Sequence, residues 1–245
     1  ASGQPDDGAV SDRVWADCQF CFICTPGSPR GTVIDEETLE YLINKANTFD
    51  FWLASDECYS EIYRNTPPPG LLEVCAQTGH RDYRQCLVFH SLSKRSNLPG
   101  LRSGFVAGDA SFIAPFLKYR TYHGCSMSMA VQKASELAWS DEDHVIVNRG
   151  LYAEKFQAAA DILDEQLDSH DPGAGFYLWA KTPTGCDTFS RDLYAATGVT
   201  VLPGQFLGRE VDGVNPGAGF VRMALVVEPG TCREALQRIQ RFMTR

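Results

Sequence analysis

Asp56 and Tyr59 stand three residues apart, and Lys94 and Arg102 follow eight residues apart. Together they supply a carboxylate, a phenol, a primary amine and a guanidinium. A lysine amine bonds covalently to an aldehyde, and the resulting link needs an electron sink to stabilise a carbanion. A protonated pyridine ring is such a sink, and a carboxylate such as Asp56 keeps its nitrogen protonated by ion pairing. Tyr59 can donate to a phenolic oxygen on the ring. Arg102 can grip a phosphate with its planar fork of donors, and the Ser91 and Ser93 hydroxyls add neutral hydrogen bonds. The set matches every polar handle of pyridoxal 5'-phosphate. Released from the covalent link, the Lys94 amine can also carry a proton as general base and acid.

Taken singly, each residue has a plainer reading. An Asp after a strand is commonly a turn or helix cap, a Lys a solvated group, and an Arg half of a surface ion pair. Those readings give no reason for all the groups to occur together in this order.

The elements that must position them alternate apolar runs with amphipathic stretches, the pattern of an α/β fold. Strands are expected over Gln19–Cys24, Asp50–Ser55, Cys86–His90 and Gly104–Ala107, with a helix from about Asp35 to Asn47 between the first two. A parallel sheet with crossover helices follows. Asp56 and Lys94 come directly after such runs, and ligands of open parallel sheets bind at the carboxyl ends of the strands. Asp109–Trp139 reads as helical with a break near Gly124, and Glu142–Leu167 as a long linking helix. Beyond it, strands at Gly175–Thr182 and Gly219–Val227 and helices at Cys186–Thr197 and Gly230–Met243 form a small α+β unit. Residues 1–140 are thus expected to be part of a large cofactor-binding domain and 141–245 the linking helix and a small C-terminal domain.

The 245 residues are 44% hydrophobic and 22% charged, with a net charge of -9. That acidity argues against nucleic acid as a partner. No apolar run is long enough for a membrane span, and Ala1–Gly8 lacks the pattern of a secretory leader, so the cytoplasm is the expected compartment. Nine cysteines suit reduced thiols better than a disulfide framework. Cys18, Cys21 and Cys24 have a spacing seen in iron–sulfur ligand runs, but within a strand residues three apart face opposite ways and their thiols cannot converge. No metal site is expected.

The segments Asp56-Glu57-Cys58-Tyr59, Ser91–Phe105 and Phe220–Val226 resemble class I/II, fold type I aminotransferases. Within that family the run around Lys94, with Tyr119–Cys125 and Val201–Gly204, most resembles the N-succinyldiaminopimelate aminotransferases of bacterial lysine biosynthesis. The resemblance implies a fold type I architecture: part of a mainly parallel large-domain sheet with flanking helices, plus a small C-terminal α+β domain. It implies Lys94 as the Schiff-base lysine, Asp56 as the pyridine-nitrogen partner, Tyr59 on the phenolic oxygen, Ser91 and Arg102 on the phosphate, and Arg222 on the substrate α-carboxylate. It further implies glutamate as amino donor, a succinylated 2-amino-6-oxo-dicarboxylic acid as acceptor, and a homodimer. Arg95, Arg120 and His123 are candidates for extra cationic contacts, with packing or surface roles as the alternative.

Two departures stand out. The family's Asn-Pro-x-Gly loop is here Ser28-Pro29-Arg30-Gly31, so Ser28 offers one hydroxyl where an amide would reach the phenolic oxygen. Arg30 reads either as a solvated loop residue or as a contact to an acidic substrate. The family's N-terminal portion also has no counterpart, so the chain is expected to be the C-terminal part of an aminotransferase, with exposed apolar surface or an open sheet edge. A truncated, non-catalytic cofactor-binding relative, another class I/II aminotransferase, and electron transfer through the cysteines are the competing readings.

Overall fold

Asp35 shows how sequence becomes structure here: its carboxylate accepts the Thr38 N–H at 2.9 Å and starts helix Glu36–Phe49. Such a cap is worth about 1 kcal/mol. Leu39, Leu42, Ile43 and Ala46, at helical spacing, are all buried, and Asp50 in the left-handed region ends the helix.

The computed structural model describes residues 10–163, 169–170 and 172–244. In chain order these residues form α1 (Asp12–Ala16), β1 (Phe20–Cys24), α2 (Glu36–Phe49), β2 (Trp52–Asp56), α3 (Leu71–Gln77), β3 (Cys86–Ser91), α4 (Leu92–Arg95), β4 (Gly104–Gly108), α5 (Ala110–His123), α6 (Met129–Ser140) and α7 (Asp143–Leu163). They continue with β5 (Ser169–His170), β6 (Tyr177–Lys181), α8 (Cys186–Thr197), β7 (Leu202–Pro203), β8 (Phe220–Ala224) and α9 (Pro229–Met243). Two compact units result: residues 1–27 with 32–148, and residues 28–31 with 149–245. The division falls inside α7. The end of the expected linking helix, 164–167, lies outside the described residues.

In the first unit the strands run in the order β1-β2-β3-β4. β1, β2 and β3 are parallel, whereas β4 is antiparallel to β3, with Ser91 opposite Gly104. The sheet is thus mainly parallel, as expected, and β4 departs from that direction for a geometric reason. The one-turn α4 rises only about 6 Å, too little to carry the chain back along a six-residue strand of about 20 Å. A short 3-10 turn over Pro99–Leu101 and a left-handed Arg102 reverse it instead. The core packs α2 and α3 against the sheet through Leu39, Ile43, Phe51, Leu53, Leu71 and Val74, each large aliphatic contributing roughly 1.5–3 kcal/mol on full burial. Among the described residues the outer edge of β1 is unpaired and Phe22 on it is 74% exposed. Leu117, Tyr119 and Tyr122 of α5 and Met129 and Leu137 of α6 are also exposed, the apolar surface expected from the sequence.

In the second unit the order is β5-β6-β8-β7, all antiparallel. Leu178 and Ala180 of β6 and Val221 and Met223 of β8 face a core built with Phe156, Phe189, Leu193, Leu236 and Ile239 from the helices. By strand alternation, Tyr177, Trp179, Lys181, Phe220 and Arg222 share the opposite face.

Candidate active site

Asp56 is the last residue of β2 and pairs in register with Phe89 of β3; Ser91 ends β3, and Lys94 lies on the one-turn α4 that follows. The two strands are parallel neighbours, so both residues sit at the same, carboxyl end of the sheet. The Lys94 Nζ lies 5.6 Å from the centre of the Tyr59 ring. Asp56 is exposed, and its Oδ1 accepts the Cys58 N–H at 3.0 Å, which orients the carboxylate. The Cys58 thiol is pushed up to about 12 by burial, and then by its hydrogen bond to Asp56.

Ser91 Oγ accepts the Ser93 N–H at 3.1 Å and lies 2.8 Å from Ser93 Oγ and 3.0 Å from the Ser103 carbonyl. A hydroxyl has one proton, so Ser91 donates either to the Ser103 carbonyl or to Ser93 Oγ, and in the second case the Ser93 proton can turn toward an anion. That network ties Ser103, and with it the adjacent Arg102, to the start of α4. Arg102 is exposed and donates from Nη1 to the Pro99 carbonyl at 2.5 Å, which leaves further guanidinium donors directed elsewhere. Its left-handed backbone is part of the turn that sets it there. The first unit therefore brings Asp56, Tyr59, Ser91, Ser93, Lys94 and Arg102 onto one pair of strand ends and the turns that follow them. The combination offers an anionic acceptor, a phenol, an amine and an anion-binding set of hydroxyls and guanidinium.

Other residues hold this edge, and sequence reasoning did not single them out. Buried Glu57 pairs with His90 at 3.3 Å and accepts the Leu71 N–H at 2.8 Å. Asn148 donates to the carbonyls of Lys94 and Arg95, both at 3.3 Å, and His144 Nε2 lies 2.8 Å from Ser96 Oγ. The signal for Glu57 and His90 was their adjacency to Asp56 and Ser91; Asn148 carried none, because its contact spans more than fifty residues.

Arg95 is not a free cation: it is buried, donates to the Ala138 carbonyl at 2.8 Å, pairs with Glu142 and lies 5.2 Å from the Trp139 ring centre. The extra substrate contact considered for it gives way to packing. Arg120 is exposed with Nη2 3.5 Å from the Cys125 carbonyl, and His123 stacks on Tyr119 at 4.7 Å.

Ser28 and Arg222 belong to the second unit. Ser28 is exposed. Arg222, in the middle of β8, pairs in register with Trp179 and Leu202, and its guanidinium lies 4.3 Å from the Tyr177 ring centre. A planar guanidinium stacked on an aromatic ring keeps its edge donors for a carboxylate.

The family model for aminotransferase class I and II matches residues 7–239. The LL-diaminopimelate aminotransferase of Maridesulfovibrio salexigens is 31% identical over 97% of this chain and 60% of its own length. An aminotransferase structure from Neisseria meningitidis is 47% identical with a TM-score of 0.92, covering 99% of this chain and 62% of that one. The probable N-succinyldiaminopimelate aminotransferase from Thermus thermophilus is 27% identical with a TM-score of 0.84, covering 98% of this chain and 63% of that one. The chain thus spans about three-fifths of the length of these relatives. Their fold, type I, is the one seen here, and their cofactor is pyridoxal 5'-phosphate. With nearly its whole length matched, the chain belongs to the class I and II aminotransferases.

Proposed function

We propose that this chain carries the cofactor-binding lysine and much of the substrate site of an aminotransferase that exchanges an amino group between glutamate and N-succinyl-2-amino-6-oxoheptanedioate. The observation that carries the reading is the placement of Asp56, Tyr59 and Lys94 on adjacent parallel strand ends, with Lys94 Nζ 5.6 Å from the Tyr59 ring.

The donor set fits pyridoxal 5'-phosphate handle by handle. Asp56, already oriented by the Cys58 N–H, would hold the proton on the pyridine nitrogen. Tyr59 would donate to the phenolic oxygen, and Ser28 stands in the sequence where the family's asparagine makes that contact, with one hydroxyl in place of an amide. Ser91, Ser93 and Arg102 hold the phosphate. When bound, the cofactor supplies the electron sink that makes a substrate Cα proton removable. Lys94 would hold it through its amine, and the same amine would take and return the proton at that Cα. Arg222, stacked on Tyr177, grips the substrate α-carboxylate with two donors.

A second substrate reading, LL-diaminopimelate itself as amino donor, draws on the names of relatives 31% identical to this chain. Both readings place the protein in diaminopimelate and lysine biosynthesis. By family likeness the working protein is a homodimer of the cytoplasm. Among the described residues no helix is long and apolar enough to cross a membrane.

The test adds pyridoxal 5'-phosphate to the purified chain and records absorption before and after glutamate. The expected result is a visible band that requires Lys94 and changes with glutamate. Transamination surviving in Lys94→Ala would sink the reading, and a Lys94-dependent band indifferent to glutamate would favour a non-catalytic relative.

A further inference from the structure

We infer that Asn148 and His144, in the first turns of α7, are positioning residues for Lys94: they clamp the end of the one-turn helix that carries it. The role rests on the reading of Lys94 as the cofactor-binding lysine.

Left to itself, α4 could not hold a side chain in place. A helix leaves its last four carbonyls without intrahelical partners, and α4 has four residues in all. A single turn is also unstable without contacts from outside. Locally, the Asn97 N–H reaches the Lys94 carbonyl at 3.4 Å, and Asn97 itself is left-handed at φ 52°.

Asn148 strengthens this weak point. Its Nδ2 carries two hydrogens and lies 3.3 Å from both the Lys94 and the Arg95 carbonyls, so one amide holds two successive peptide groups. His144 is four residues earlier and therefore on the same face of α7, and its Nε2 lies 2.8 Å from Ser96 Oγ. The other ring nitrogen, Nδ1, lies 2.8 Å from Asp141 Oδ2. A carboxylate can only accept, so Nδ1 carries the proton and the ring is held in one orientation. Asp141 is held in turn. Its Oδ1 accepts the Asp143 N–H at 2.9 Å, and the bond to His144, followed by that N–H, holds its carboxyl below the ordinary aspartate range. Ser96 is buried and also accepts from Arg95 Nη1 at 3.4 Å. Residues 94, 95 and 96 are thus each tied to the start of α7, inside the first unit. Fixing the peptide groups on the C-terminal side of Lys94 fixes its Cα–Cβ direction, and with it the region the amine reaches beside the Tyr59 ring. A displacement of about 1 Å at a reacting group costs on the order of 100-fold in rate.

The experiment uses the full chain and two probes. Pyridoxal 5'-phosphate reports on Lys94: the amine adds to the aldehyde, a C=N bond forms and one water leaves. Borohydride reduction and peptide mass spectrometry then count the product at Lys94. Pyridoxine 5'-phosphate has an alcohol where the aldehyde would be, so calorimetry with it reads the pocket without the lysine. Asn148→Ala removes both donors and favours the helix. It should slow capture at saturating pyridoxal 5'-phosphate about tenfold or more while leaving the affinity for pyridoxine 5'-phosphate unchanged. Asn148→Gln, which keeps the amide on a longer arm, should recover part of the rate, and His144→Ala should show the same split more weakly. Hydrogen exchange without cofactor should quicken at residues 94–98 in Asn148→Ala and His144→Ala, with α2 unchanged. Equal loss for both probes would reduce Asn148 to a general structural role and overturn the inference, as would unchanged capture. Unchanged exchange would overturn the clamp itself, whatever the cofactor does. If wild type captured no pyridoxal 5'-phosphate at Lys94 while exchange quickened as expected, the reading of Lys94 would fail, and the positioning role with it, leaving only the clamp on α4.

Discussion

Glu57 Oε2 and His90 Nε2 meet at 3.3 Å across adjacent parallel strands. Each is the immediate neighbour of a proposed cofactor ligand, Glu57 of Asp56 and His90 of Ser91, so the pair fixes the separation of the two strand ends. The other Glu57 oxygen is taken by the Leu71 N–H at 2.8 Å, which joins α3 to the same lock.

Glu57→Gln and His90→Gln should each lower stability by about 1–3 kcal/mol, the cost of leaving a buried partner unsatisfied. The double variant should lose less than the sum, because the two share one interaction. Urea denaturation of the four proteins measures the coupling, and strict additivity would show that the pair does not lock the strands.

Asp109 predicts part of the acid sensitivity. Burial pushes its carboxyl up, but the Ser111 side chain and the Gln85 and Ser111 N–H groups, the latter two each at 2.7 Å, outweigh that and hold it below the ordinary aspartate range. A lowered folded value means that the stabilisation is fully present above about pH 4 and is lost as pH falls through the folded value. Asp109→Asn should cost about 1–2 kcal/mol at neutral pH and flatten the dependence below pH 4. Thermal melts across acid pH test this; an unchanged slope in the variant would refute it.

Thiol chemistry should separate Cys58 from Cys125. With its thiol pushed up to about 12 by burial and by Asp56, Cys58 carries almost no thiolate at neutral pH and should resist iodoacetamide. Cys125 is exposed and should be alkylated first. Peptide mass spectrometry over a time course reads the order, and early labelling of Cys58 would contradict its placement.

Arg95→Ala should act on stability rather than on substrate. The side chain is 8% exposed and bonded to Ala138 and Glu142, so removing it should cost roughly 2–4 kcal/mol through lost packing and an unpaired partner. Arg95→Lys should rescue little, because an ammonium cannot stack on Trp139 and donate in two directions as a guanidinium does. A stable Arg95→Ala protein with weakened dicarboxylate binding would restore Arg95 as a substrate contact.

What the sequence disclosed followed from range. Asp56 and Lys94 were legible because each comes just after an apolar run, and the helix beginning near Asp35 because its apolar residues recur within a few positions of one another. α3 was missed because seven residues span barely two turns, too few to display a period. β4 was legible as a strand, but its antiparallel direction was not, because that depends on the three-dimensional turn through Pro99 and Arg102. The roles of Asn148 and His144 rest on contacts to distant segments, which no local pattern encodes. Arg30 stood in the open as a departure from a familiar loop, and its packing on Phe220 gave it a neighbourhood.

The membership of residues 28–31 in the second unit also governs how the chain can be dissected. A C-terminal piece cut within α7 would be severed from the tetrapeptide that completes it. The Ala174 N–H would lose the Gly31 carbonyl, and the Phe220 ring would lose Arg30. A faithful excision must therefore graft Ser28–Gly31 back, as a designed insertion or a supplied peptide, before the isolated piece can stand for this part of the protein.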